Sequence, residues 1–264
     1  MATDPFREGT EAHYRDGVYY DYRYQRRRYD LVHYVQLARD ARGPVLELGV
    51  GTGRVAIAIA RAGIDVVGLD MMPAMLVRAD ERLAQLPRRV RERVELVQGD
   101  LRTARLGREF PLVIAPFNVL MHMYTRTAIE EALATVLTHL QPEGRFAFDV
   151  LMPDLKALVR DPTRLYKSRP IRHPRDGHRY DYREAFHYDP VGQVQVVSTV
   201  LEPLEDPGQS ELTQLNHRQF FPQELEALLH YNGFRVLCHE GDFQGADLHG
   251  LSESQVVVAG RRDG

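Results

Sequence analysis

Residues 45–53, Val-Leu-Glu-Leu-Gly-Val-Gly-Thr-Gly, set three glycines at alternate positions directly behind a short apolar run. A short, branched, apolar run is what a buried parallel strand requires, and "GRVAIAIARAG" behind it reads as a helix ended by Gly63. Few folds take a chain from a strand through closely spaced glycines into a helix. The glycines permit a tight turn and let backbone N–H groups come close to a ligand, so the unit is a β-turn-α cradle for phosphate or ribose.

The same alternation continues downstream. "IDVVGLD" (64–70) reads as a second strand ending in an acid, and "PAMLVRADERLAQL" follows as a helix with proline in its first turn. Strand signals recur at 93–100, 110–120 and 142–151, with a helix at 126–140 between the last two. Five strands interleaved with helices imply a parallel, doubly wound α/β sheet. Ahead of them, residues 27–40 place Leu31, Tyr34, Val35 and Ala38 at helical spacing, and Gly43-Pro44 stops the pattern. After Pro153 the period changes to two: "RYDYREAFHYD", "QVQVVSTVLEP" and "ELTQLNHRQF" read as antiparallel strands of an insert. A helix at "PQELEALLHYNG" and strands at "FRVLCHE" and "SQVVVAG" then complete the sheet. The expected division is a helical segment over 1–43, a cofactor-binding core over 44–160, an antiparallel β insert over 161–220 and completion of the core over 221–264.

With 264 residues and 44% hydrophobic content, the chain can bury one large core. A net charge of −3 argues against a surface built for nonspecific phosphate attraction. Among 34 basic residues only Lys156 and Lys167 are lysine, and the run Arg26-Arg27-Arg28 sits in a charge-balanced stretch, so it is expected to be a solvated helix face. The single cysteine, Cys238, lies in a strand-like run and is expected to be a small buried hydrophobe in a reducing cytoplasm. No apolar stretch near the motif approaches the roughly 20 residues of a spanning helix, and neither a signal peptide nor a membrane anchor is expected. The eleven histidines show no metal-binding spacing, so no metal is expected.

Gly51-x-Gly53-x-x-Ala56 with Asp70 formally satisfies a dinucleotide fingerprint, which keeps an NAD-dependent oxidoreductase open. Four features together point elsewhere. Glu47-x-Gly49-x-Gly51-x-Gly53, "GLD" at 68–70, "QGDL" at 98–101 and "LQPEGRFAFD" at the fifth strand resemble, in order and spacing, the motifs of class I S-adenosylmethionine-dependent methyltransferases. Val50 stands where that family often has a smaller residue. The resemblance implies a Rossmann-like seven-stranded methyltransferase sheet with an antiparallel β lid after strand five. It also implies S-adenosylmethionine as cofactor and S-adenosylhomocysteine as product. Under it, Glu47 holds the α-amino group of the methionyl tail, and Gly49, Gly51 and Gly53 pass beneath the tail and ribose. Asp70 accepts the ribose hydroxyls, Met71 or Met72 packs on adenine, Asp100 and Leu101 meet the adenine amino edge, and Ala115 to Asn118 line the methionine portion.

The insert resembles the lid of methyltransferases that act on amino sugars and other small amines, so a small-molecule amine is the expected acceptor. A small-molecule O-methyltransferase remains an alternative. Methyl transfer requires a dry, aligned site, and a general base helps chiefly with hydroxyl acceptors. His122, just past strand four, is the candidate base or positioning group. Tyr22 is the second catalytic candidate: the N-terminal "YYDYRYQRRRYD" resembles a segment that closes over the donor, which would put Tyr19, Tyr22 or Tyr24 near the transferring methyl. Asn118, Tyr180, Tyr182, His217, Arg218 and Phe220 are the candidate acceptor-binding residues, with Asp242 and Phe243 as a far wall. Eight Lys/Arg against three acids over 160–183, interleaved with tyrosines, keep an RNA methyltransferase open as a weaker reading. Partners are therefore expected to be a small acceptor and no membrane, with a homodimer left open.

Overall fold

The computed structural model describes residues 5–262. In chain order, α1 (Pro5–His13), α2 (Gly17–Tyr24) and α3 (Leu31–Ala41) lead into β1 (Val45–Leu48), α4 (Arg54–Arg61), β2 (Val66–Asp70), α5 (Pro73–Ala84), α6 (Arg88–Arg91) and β3 (Val94–Gln98). Then come β4 (Phe110–Ala115), a 3₁₀ turn (Val119–His122), α7 (Arg126–His139), β5 (Leu140–Leu151) and α8 (Leu155–Leu158). Strands β6 (Tyr166–Lys167), β7 (Ile171–Arg172), β8 (Arg179–Asp189), β9 (Val194–Pro203) and β10 (Glu211–Arg218) follow, and the chain closes with α9 (Pro222–Tyr231), β11 (Phe234–Glu240) and β12 (Ser254–Arg261). Among the described residues no helix is long and apolar enough to cross a membrane.

Contacts divide the chain into two compact units: residues 27–152 with 220–264, and the residues up to Arg26 with 153–219. The expected helical segment is therefore divided. Its first part groups with the insert and its second part, from Arg27, with the core.

The larger unit is built on a seven-stranded sheet of order β11-β12-β5-β4-β1-β2-β3. Pairings are parallel from β3 through β5, while β12 runs antiparallel to both β5 and β11. The five strands expected to be parallel are so, and the two strands that complete the sheet supply its antiparallel edge. The seven-stranded sheet that the resemblance implied is what the chain forms. Alternation along the strands sorts side chains onto two cores. Leu46, Leu48, Val113, Phe146 and Phe148 face α7 and α9, whereas Val45, Ile114 and Ala147 face α3 and α4. Glu47 is in register with Val45 and so projects toward α3 and α4. The smaller unit carries a second sheet of order β10-β9-β8-β6, with β7 also on β8 and every pairing antiparallel.

One close approach fixes the glycine loop against its neighbour. Gly49 has φ +67°, and a Cβ there would lie 2.5 Å from Val119 Cγ2. Gly49→Ala is expected to destabilise the protein by about 1–3 kcal/mol through overpacking, read as a lower denaturation midpoint. Adding Val119→Ala should recover the packing part of that loss while the strain of the left-handed φ remains, and a double variant no better than the single one would show that the contact is not the constraint.

Candidate active site

Strand order reverses between β1, which continues to β2, and β4 on its other side. The carboxyl edge at such a switch point is where open α/β sheets bind ligands. The loop after β1 and the turn after β4 therefore flank the expected site.

The glycine loop is held open. Gly51 has φ +56°, and the nearest atom to a Cβ built on it is 4.0 Å away, so the space over Gly51 is clear. Asp70, at the end of β2, fastens this loop: its carboxylate accepts from Gly51 N at 2.8 Å and Met72 N at 2.8 Å. With Met71 N–H also acting on it, the carboxylate still has acceptor capacity for a hydroxyl donor. Burial pushes the Asp70 carboxyl up, against the backbone N–H bonds that favour its charge. Asp70 is thus both the strand-end tie and an acceptor suited to a ribose.

Glu47 is 2% exposed, and its Oε2 has no hydrogen-bond partner. Burial raises its carboxyl to about 8, with Asp30 and Asp70 adding to the effect and Arg54 opposing it. A buried, underbonded carboxyl at a ligand edge is complementary to a cation carrying N–H donors. This orphan oxygen and the clear space over Gly51 fit the α-amino group and tail of S-adenosylmethionine.

Behind Glu47 lies an ionic network that sequence reasoning missed. Arg54, at the start of α4, holds Asp30 in two 2.7 Å bonds. Arg27 bonds Asp30 at 3.0 Å and Asp149 at 3.1 Å, and Tyr34 donates to Asp149 at 2.6 Å. Burial opposes charge on Asp30, but Arg54 and Arg27 hold its carboxyl below the usual range. Arg27 is 11% exposed at its side chain and lies over the Phe117 ring at 4.2 Å, between Tyr29 and Phe243. Arg26 and Arg28 are exposed, as a solvated face requires, and the expectation is corrected for Arg27 and for the helix. These residues lie between α2 and α3, and Arg27 is a core ion. A lone acid inside the apolar "FAFDV" of β5 was the available signal for Asp149.

The remaining predicted residues fall in several environments. Met71 is exposed, and Leu101 packs partly against the core. Asp100 closes its own turn, accepting from Arg102 N at 2.9 Å, and pairs with the Arg102 guanidinium. Ala115 is fully buried, its side chain spent on the core. Asn118 is buried in the turn after β4. His122 ends the 3₁₀ turn, with Nδ1 3.3 Å from Tyr124 Oη. Phe220 is fully buried in the core beside α9, and its carbonyl accepts from Gln255 at 2.7 Å. Its expected place in an acceptor pocket is corrected to a core role. Asp242 caps its turn through Gln244 N and Ala246 N, while Phe243 packs near Tyr29, His33 and Tyr34.

In the smaller unit, Tyr22, Tyr19, Arg23, Gln25, Arg26 and Ile171 line a recess of about 280 Å³. Tyr24 contacts His13, and Arg23 reaches the Tyr182 hydroxyl. Tyr180 donates to Asp176 at 2.7 Å across its own turn. Strand parity on β10 separates His217 from Arg218: Asn216 and Arg218 are buried, and His217 between them is half-buried. The basic stretch is largely engaged internally, with Lys167 on Asp181, Arg183 on Glu202, Arg175 on Asp16 and Arg160 over Phe186.

Comparison with known proteins places these motifs. Residues 45–144 match the family model described as a methyltransferase domain. The chain is 31% identical over 100 residues to a dTDP-3-amino-3,4,6-trideoxy-alpha-D-glucopyranose N,N-dimethyltransferase of Streptomyces venezuelae, covering 38% of this chain and 39% of that protein. It spans less than half the length of the curated relatives it matches. Its fold is similar to that of the CcbJ methyltransferase from Streptomyces caelestis, with a TM-score of 0.80 and 23% identity over 97% of this chain and 99% of that one. It is also similar to CalS10, an amino pentose methyltransferase from Micromonospora echinaspora solved with S-adenosylmethionine bound, with a TM-score of 0.66 and 21% identity over 92% and 95% of the two chains. The class I methyltransferase resemblance is borne out. The matched segment holds the first three motifs and the start of the fourth.

The Glu47 carboxyl sets a pH signature for the ligand-free protein. Its folded value, about 8, lies above its unfolded one, so the stability it contributes is fully present below the unfolded value and is lost as pH rises through about 8. Glu47→Gln removes that dependence. The melting temperature of the variant minus that of the wild type should therefore grow between pH 5 and pH 9, and a pH-independent difference would mean that Glu47 titrates normally.

Proposed function

We propose, on the premise that residues 45–144 are a methyltransferase domain, that the protein transfers a methyl group from S-adenosylmethionine to an amine nitrogen of a small molecule. The observation that carries the reading is the pairing of Glu47's buried, underbonded carboxylate with the clear cradle over Gly51 at the switch point. The sulfonium supplies an electrophilic methyl with a neutral thioether as leaving group. The acceptor nitrogen's lone pair forms the new C–N bond as the C–S pair returns to sulfur, and the nitrogen then releases a proton.

The chain's own residues divide this work. Glu47 binds the α-amino group, Asp70 accepts from the ribose hydroxyls, and the N–H-rich turn around Gly51 supports the tail. Asp100, Leu101 and Met71 form the adenine end. His122 takes up or directs the departing proton, and Asn118 contacts the acceptor. Tyr22 is proposed to lie near the transferring methyl, and Tyr180, His217 and Arg218 are the proposed acceptor-binding residues. The N,N-dimethyltransferase of an amino sugar to which the chain is similar supports nitrogen as the target.

Release of S-adenosylhomocysteine is assayed with amino sugars, simple amines and their hydroxyl counterparts. Turnover of amines is expected, and turnover confined to phenols or alcohols would move the assignment to oxygen. Asp70→Ala and Gly51→Val should each abolish donor binding, whereas His122→Ala should keep donor affinity and lose turnover. Near-native donor affinity in both loop variants would refute the cradle, and unchanged turnover would return His122 to a structural role.

A further inference from the structure

We infer that the side-chain oxygen of Asn118 receives an amine N–H at the point of methyl transfer, and that Asp149 is the positioning residue that holds Asn118 there. The inference rests on the methyltransferase reading above and specifies how its site selects nitrogen.

Phe117 and Asn118 both have φ +65°, two consecutive non-glycine residues in the left-handed region. For a side chain as bulky as phenylalanine that conformation is disfavoured, and it persists where the surroundings impose it. Asp149 imposes it. Its Oδ1 accepts from Phe117 N at 2.7 Å and from the Tyr34 hydroxyl at 2.6 Å, its Oδ2 accepts from Arg27 at 3.1 Å, and its backbone carbonyl accepts from Asn118 N at 3.2 Å. The residue is fully buried, where a carboxylate is tolerated when it is saturated with donors. A buried charge on β5 is thus committed to the shape of one turn at the carboxyl end of β4. That turn adjoins the glycine loop, because Val119 fills the space that Gly49 leaves.

The turn delivers an unmet acceptor. Asn118 is 4% exposed, and its Oδ1 has no hydrogen-bond partner among the described residues. A buried acceptor left unsatisfied in a protein at a ligand edge is accounted for when the ligand brings the donor. An attacking amine directs its lone pair along the S–CH3 axis and its N–H bonds to the side. A carboxamide oxygen takes one of those hydrogens and leaves the lone pair free. A phenolate has no such hydrogen to offer, so the contact favours nitrogen acceptors.

Sinefungin, in which an amine-bearing carbon replaces the methylsulfonium, supplies that N–H without an acceptor substrate. S-Adenosylhomocysteine lacks it. Calorimetric titration of the full chain with both ligands tests the contact. Asn118→Leu is expected to weaken sinefungin about tenfold, the size of one lost hydrogen bond, and S-adenosylhomocysteine by less than about threefold. Asn118→Asp, which keeps an acceptor oxygen, should retain sinefungin affinity. Asp149→Asn should repeat the selective loss, and should that variant not fold, Tyr34→Phe removes one donor to Asp149 and is expected to give a smaller loss of the same kind. Parallel weakening of both ligands in Asn118→Leu, or no weakening of sinefungin, overturns the inference with the methyltransferase reading intact. Failure of the wild type to bind S-adenosylhomocysteine overturns both.

Discussion

Arg54, Asp30, Arg27 and Asp149 form one chain of alternating charge beneath the carboxyl edge of the sheet. It joins the starts of α3 and α4 to β5 and to the turn after β4, and each of these elements contributes to the site. Such a network is not a large net source of stability, because desolvating four charges consumes most of what their attraction returns. Its value lies in geometry. Removing one member of a buried pair leaves a stranded charge and costs roughly 3–5 kcal/mol, so each element can settle in one position.

The network also explains the state of Glu47. Arg54 is the cation that acts on it, yet both of its bonds to Asp30 measure 2.7 Å, and its charge is already answered. Glu47 is left buried among carboxylates with its value raised to about 8. A ligand ammonium brings the positive charge that the interior withholds. The surroundings of Glu47 on β1 thus suit a cationic group, while Asp70 holds the loop through Gly51 N and Met72 N. Under the proposed reading, two acids on neighbouring strands would receive different parts of one ligand because their surroundings differ.

Much of this fold was legible because its signals are local. The glycine loop, the acid closing β2 and the shift from helical to period-two spacing after Pro153 can each be read within a dozen residues. The ionic network could not be read in that way, since Arg27 and Tyr34 meet Asp149 across 122 and 115 positions. A triple arginine looks alike whether it is solvated or folded beneath aromatic rings, and partners from β5 decide the matter. Phe220 looked like a lid residue because it follows a period-two run, but the chain has by then re-entered the larger unit and the side chain fills its core. On β10 the alternation was visible and its phase was not. Burial of Asn216 and Arg218 sets that phase. The reversal of β12 lies in pairing, which no single strand encodes.

The central claim is that the cradle between β1 and β4 holds S-adenosylmethionine. Calorimetric titration of the purified chain with S-adenosylhomocysteine, set beside the same titration with NAD, tests it most directly. Saturable binding of S-adenosylhomocysteine at one site per chain is expected, and none of NAD. A folded, empty protein that binds NAD and leaves S-adenosylhomocysteine in solution would contradict it.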